Sequence, residues 1–514
     1  MIRLVLLLLW ALPGAEAYTI SGTVVHGTTG VPLGKAHVFL APAEGGTPPL
    51  TVTTGSDGAF RFEGLKAGKY GLSAERLGFV RQAYMQRALY QQYSTAVVVG
   101  ENETADHLVF RMIPGAAISG VVRDTQAEPV PQLTVQAYRV VGSGNQRHAQ
   151  MLGKAATDDR GYFRLPFLAA GSYVLAFGPS AWRYADAMQA EELSYPVTFY
   201  PSASDSGKAD LIHLKAGEEA RADLMIAPLP AVRVEGVVEP EDPAVRRIVS
   251  VRARGPFGSE FYVGESLYAT GTFTFEHVPA GDYLFTLWEG TTKLLAYQTV
   301  KLAAPTTRVT LGEVPSAKVS VKVDMLGVPR NPGIHPRVTL NRDEGGWLAA
   351  RTLGEDGLCE FAAVPAGRYQ VLVYQGRELA IVSLAARGAQ LSAGFVDIPE
   401  SGSVELTVAV DSNATDLNGR VFRGDRPEAG VLVMLAPRTG WENPGPIRFD
   451  QSDSDGTFAF RGVSEGDFLL FAFDEGEPYD YIDPEVIRAL LPTAQPVRVT
   501  GLPGQTVRLV IPAK

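Results

Sequence analysis

A single cysteine, Cys359, stands among 514 residues. One thiol cannot form an internal disulfide, so each domain must be held by its own core. Histidine is nearly as scarce. The seven residues, His26, His37, His107, His148, His213, His277 and His335, are scattered along the chain. None opens an H-x-x-E or H-E-x-x-H pattern, which would set ligand and base on one helix face. No G-x-S-x-G elbow and no glycine-rich phosphate loop opening a helix is present. These gaps argue against a zinc hydrolase, a serine hydrolase and a nucleotide enzyme; no cofactor is expected. Positive charge is in deficit, 46 Lys and Arg against 56 Asp and Glu, which argues against nucleic acid as a partner. Only Leu4 to Leu12 forms a long apolar run, well short of the ~20 residues of a membrane-spanning helix.

That run follows Met1-Ile2-Arg3 and precedes Ala15-Glu16-Ala17, the small residues of a cleavage site. Residues 1–17 are therefore expected to be a secretory signal peptide, and the protein to be exported: secreted, periplasmic or at the cell surface. No transmembrane segment is expected once the signal is removed. The remaining chain is too long for one hydrophobic core. Its hydrophobic fraction of 46% is that of ordinary globular protein.

What the chain does have is a phrase repeated five times. Asp57-Gly58-Ala59-Phe60-Arg61-Phe62 is followed by Gly68-Lys69-Tyr70. The later copies run from Gly161, Phe163 to Gly171, Tyr173; from Gly271, Phe273 to Gly281, Tyr283; from Gly357, Cys359 to Gly367, Tyr369; and from Gly456, Phe458 to Gly466, Phe468. The two glycines are ten residues apart in every copy. A period of about a hundred residues means tandem modules. The first glycine suits a tight turn, and the preceding Asp can bond the backbone two residues on. Alternation then sends Phe60 and Phe62 to one face. Each copy also has an opening strand, such as Ile20-Ser21-Gly22-Thr23-Val24; in the fourth the opening glycine is replaced by Val321. About seven short strands per copy predict a β-sandwich. Helix is expected only at Gln82 to Tyr93 and, better capped, at Asp483-Pro484 to Leu491.

The run from G-x-V through D-G-x-F-x-F to P-A-G-x-Y resembles the carboxypeptidase regulatory-like domain. The resemblance implies a transthyretin-like β-sandwich related to the B-type repeats of bacterial surface adhesins, and it covers nearly all of the chain after residue 17. The expected fold is all-β, five tandem Ig-like or transthyretin-like sandwiches. Their expected bounds are 18–115, 116–230, 231–316, 317–411 and 412–514. Some B-type repeats carry a Lys–Asn or Lys–Asp isopeptide bond with a Glu shortly after the G-x-Y motif. Lys322 lies on an opening strand, but Val373 stands where that Glu would be, so Lys322 is read as a solvent-facing strand residue.

Candidate sites lie outside the repeat positions. Trp182, Tyr184, Trp347 and Trp441 are aromatic residues that could stack on sugars or anchor a partner, or cover the open ends of the sandwiches. Trp441 lies between Pro437 and Pro446, in a segment expected to be irregular and exposed, beside Glu442 and Asn443. Asp450, Asp453 and Asp455 resemble part of a calcium loop, but position twelve of an EF-type loop would be Gly462 rather than Glu. An acidic hairpin turn is the plainer reading. Residues 412–514 hold fifteen acidic and ten basic residues, half of the net charge of −10. A solvated face, calcium or a basic partner would each account for that. The expected function is a non-enzymatic exported scaffold or adhesion protein. Carbohydrate binding and accessory regulation of a separate enzyme are the alternatives, and the partner is a protein or polysaccharide at the cell surface.

Overall fold

The computed structural model describes residues 17–511 except 44–46, 88–93, 102, 143–146, 179–192, 240–246, 257–258, 269–270, 290–292, 304, 313–315, 328–332, 343–349, 376–378, 393–394, 412–413, 440, 442–446, 477–479, 482 and 503. The described strands form ten sheets, two per repeat, so the chain is five tandem β-sandwiches.

One plan recurs. The opening strand, Tyr18–His26 in the first module, is the centre of one sheet. It pairs antiparallel with the motif strand Ala59–Leu65 and parallel with the closing strand Ala105–Met112. The same arrangement joins Ala116–Asp124 to Tyr162–Leu168 and Leu224–Ile226. It joins Leu229–Val238 to Thr272–Pro279 and Thr306–Leu311. It joins Ser316–Leu326 to Leu358–Pro365 and Ser403–Asp411, and Thr415–Arg423 to Thr457–Val463 and Thr506–Ile511. The facing sheet is built on the strand after the second motif glycine, as Gly68–Glu75 pairs with His37–Pro42.

The motif residues do what their chemistry predicts. The turn glycines 58, 161, 271, 357 and 456 all have φ between +70° and +82°, where a Cβ is strained. The Asp57, Asp356 and Asp455 carboxylates accept from the amides of Ala59, Leu358 and Thr457, two residues on. Phe60, Phe163, Phe273 and Phe458 are each at most 4% exposed. The hydroxyls of Tyr70, Tyr173 and Tyr369 donate to the carbonyls of Lys66, Ala169 and Pro365.

The opening glycine has a packing role. In the ladder Gly22 faces Phe60, Gly120 faces Phe163, Gly236 faces Phe273 and Gly419 faces Phe458. A Cβ there would lie 1.9–3.0 Å from the opposing ring, so the ring fills the space that the missing side chain leaves. In the fourth module the pair at that rung is Val321 and Cys359. Both are buried in that module's core. The two departures from the motif are therefore one exchange, with bulk moved from one strand to its neighbour.

The modules are not all separate bodies. Tyr138, Val174, Ala176 and Phe199, before residue 230, belong to the same core cluster as Phe261, Phe273 and Phe285 after it. Leu193–Ser194 also adds a rung to the sheet of Leu229–Val238. At the next joint the Tyr297 hydroxyl donates to the Ala366 carbonyl at 2.6 Å, and the Arg342 guanidinium lies 3.6 Å from the Tyr297 ring centre.

Two helix expectations meet different outcomes. Pro484–Leu490 is a helix, with the Asp483 carboxylate accepting from the Glu485 amide. Gln82–Ala83 is instead a two-residue strand on the Gly68–Glu75 edge, and a turn follows it; residues 88–93 lie outside the described residues. Lys322 is 55% exposed at its side chain and pairs with Asp324 at 3.8 Å. No described helix is long and apolar enough to cross a membrane.

Candidate functional site

The fifth module has a second hydrophobic layer. Leu432, Met434, Ala436, Phe471 and Phe473 face away from the sandwich core and are covered by Ile487 of the helix, Ile447 and Trp441. Trp441 is 9% exposed, with the Arg488 guanidinium 5.6 Å from its ring centre. This corrects the expectation of an exposed platform: the ring closes the layer beneath the helix and offers no free face. Glu442, Asn443, Trp347, Trp182 and Tyr184 lie outside the described residues.

The three aspartates are described, and they do not converge. Asp450 Oδ2 accepts from the Ala459 amide at 2.7 Å. Burial pushes its carboxyl up to about 6, against the hydrogen bonds from the Ala459 and Gln451 amides. Asp455 takes the Thr457 amide and hydroxyl and the Arg420 guanidinium. Burial pushes Asp455 up, but those bonds outweigh it and hold the carboxyl below its ordinary value. Among the described residues no group of three His, Cys, Asp or Glu side chains could hold a metal ion. The calcium possibility at Asp450, Asp453 and Asp455 is corrected accordingly, because each carboxylate is committed to a different protein donor.

Asp453 is committed to another module. Its Oδ2 pairs with Lys69 Nζ at 2.5 Å, and its Oδ1 accepts from the Ala96 amide at 3.0 Å. Burial raises its carboxyl above the ordinary range, with Lys69 opposing. Lys69 is the middle residue of the first module's Gly68-Lys69-Tyr70, so the second half of one motif copy grips the turn of another. Around this pair the first and fifth modules meet along a continuous seam. The Ser454 amide donates to the Ala96 carbonyl, and the Val98 amide donates to Ser454 Oγ. Gln451 Nε2 donates to the Met85 carbonyl, and Arg87 Nε to the Gly430 carbonyl. Met85, held at φ 51°, rests its methyl over Gly430, where a Cβ would lie 2.5 Å away. Arg420 bridges Asp455 and Glu103.

Asp474, Glu475 and Tyr481 lie close enough to Arg87 to oppose the lowering that burial imposes on its guanidinium. Part of the acidic run 474–485 thus faces a basic residue of the same chain.

Sequence reading missed a buried brace. Thr54 and Thr157 each accept from one backbone amide and donate to a carbonyl, and Ser452 does the same. All three stand four residues before the turn glycine. That recurrence was visible; its meaning was not, because the partners lie eighteen or more residues away.

Residues 19–112 match the profile of the carboxypeptidase regulatory-like domain, so the first module is similar to that family. No curated protein matches the chain. Similar solved structures include the Bacillus anthracis TIE protein, at 12% identity over 78% of this chain and 75% of that one, TM-score 0.18. A streptococcal ancillary pilin is similar at 12% identity over 58% of this chain and 100% of that one, TM-score 0.19. Two B repeat units of the collagen binding protein of Staphylococcus aureus are similar at 12% identity over 77% of this chain and 100% of theirs, TM-score 0.13. Scores this low carry no weight for function.

Proposed function

We propose that this chain is a non-enzymatic scaffold, exported by residues 1–17, that holds five β-sandwiches in a set arrangement for contact with a protein at the cell surface. The observation that carries the reading is the seam between the first and fifth modules. There Lys69, inside one copy of the motif, and Asp453, in the turn that leads into another, are spent on joining modules. Side chains arranged for chemistry would converge on a shared void; these pair off across a joint. We place the module boundaries at 115, 230, 316 and 411. The shared core across 230 means that the second and third modules act as one body. Aromatic contact with a polysaccharide, if present, falls to Trp182, Tyr184 and Trp347, since Trp441 is packed.

The test has two arms. Full-length chain expressed with its N-terminus should reach the exported fraction and be cut by protease added to intact cells; retention inside the cell would refute the placement. A glycan array with the purified chain should give no saturable binding, and binding would favour the polysaccharide reading.

A further inference from the structure

The seam between the first and fifth modules joins two unlike faces that stand at opposite ends of the chain. The first module supplies Lys69, Met85, Arg87 and the extended run Thr95 to Val98. The fifth supplies Gly430 and the turn Gln451 to Asp455. We propose that this seam is exchangeable, so that the first module of one chain docks on the fifth module of a second copy, joining copies head to tail.

Three features support this. First, the seam is made mainly of hydrogen bonds and ion pairs. The first and fifth modules each have core clusters drawn from their own residues alone. Opening the seam therefore uncovers mostly polar groups that water can serve, and each face persists unpaired. Second, the polar contacts across it are on the order of the ~10 hydrogen bonds of a stable interface between separate proteins. The seam is sufficient without the covalent tether. Third, the faces are complementary rather than self-matching. Residues 412–514 carry ten basic and fifteen acidic residues, while residues 18–115 carry eight basic and seven acidic. Such a heterologous contact closes within one chain, or propagates between chains when the chain is open. Residues 116–411 tether the two faces and give the internal contact an effective concentration that a second copy must match. Dilute chains close on themselves; chains crowded to that density exchange.

The test uses two full-length variants, each with one face spoiled. Arg87→Glu removes the donor to the Gly430 carbonyl and sets a carboxylate near Asp474. Ser454→Arg places a long side chain against the Val98 amide. Neither alone can close, and neither can pair with its own kind, since each copy carries the same spoiled face. Mixed, the intact fifth module of the first meets the intact first module of the second. The expected result is two expanded monomers by small-angle scattering, and a 1:1 complex of twice the mass by sedimentation only in the mixture, at up to ~0.5 mM. A mixture that stays monomeric overturns the proposal. So does a variant that stays closed, or one that self-associates. Hydrogen exchange in the module cores verifies folding; should either variant fail it, Lys69→Glu and Ser454→Trp replace them with the same expected outcomes.

Discussion

Val321→Gly tests the exchanged pair in the fourth module. Val321 is fully buried opposite Cys359. The substitution removes three carbons at ~0.8 kcal/mol each and adds ~0.5–1 kcal/mol for glycine in a strand, about 3 kcal/mol in all. Cys359 is the chain's only thiol, 7% exposed, and burial pushes it up to about 11, so a thiol reagent reaches it only through opening of this module. Where opening is fast and reversible, the labelling rate follows the open population. With ~1.4 kcal/mol per tenfold, labelling should accelerate about a hundredfold. Adding Cys359→Phe should restore the module, because Gly facing Phe is the arrangement of its four sisters; protection of the Ser316–Leu326 amides replaces the thiol as readout. Cys359→Phe alone should destabilise by ~1–3 kcal/mol through overpacking. Labelling accelerated less than tenfold, or a double variant no better than the worse single one, would refute the account of this rung.

Trp441→Ala should destabilise the second layer of the fifth module by ~3 kcal/mol, seen as lost amide protection along Leu432–Pro437; unchanged protection would mean the ring is not packing there. Asp450 has a folded value of about 6 against an ordinary 3.8. Its proton is held more tightly in the folded state, so the stability it contributes is present in acid and lost as pH rises from about 4 to 6. Asp450→Asn should flatten that dependence and stabilise the fifth module at pH 7 by at most ~3 kcal/mol; a steeper dependence in the variant would refute the assignment. Residues 116–230 expressed alone should associate through exposed Tyr138, Val174 and Phe199, whereas 116–316 should stay monomeric by light scattering; a soluble monomeric 116–230 would show that the shared core is dispensable.

The parts of the fold legible in the sequence were those fixed within about a dozen residues. The turn glycines, the aspartate two residues before each bonded amide, the buried Phe positions and the capped helix at Pro484 all follow from local geometry. The rest depends on what arrives from elsewhere in the chain. Trp441 sits between prolines and glycines and looks like a loop tip, but Ile447 and Ile487 close over it. Asp453 has the setting of a turn acid; its partner Lys69 is 384 residues away. Thr134–Val141 is buried at its first five positions and again at its last, and that loss of alternation is the local trace of a neighbour on its outer face.

The parallel pairing of first and last strands has a mechanical consequence. In each module the chain enters at the start of one strand and leaves at the end of its parallel neighbour, so the two exits point in opposite directions. Tension on a chain held at both ends would drag the two strands along each other. The ladder bonds then share the load together, where an antiparallel terminal pair would unzip one bond at a time. Forced unfolding is governed by the rate of that first rupture, so a protein without disulfides carries in its strand order a resistance to pulling that no cross-link supplies.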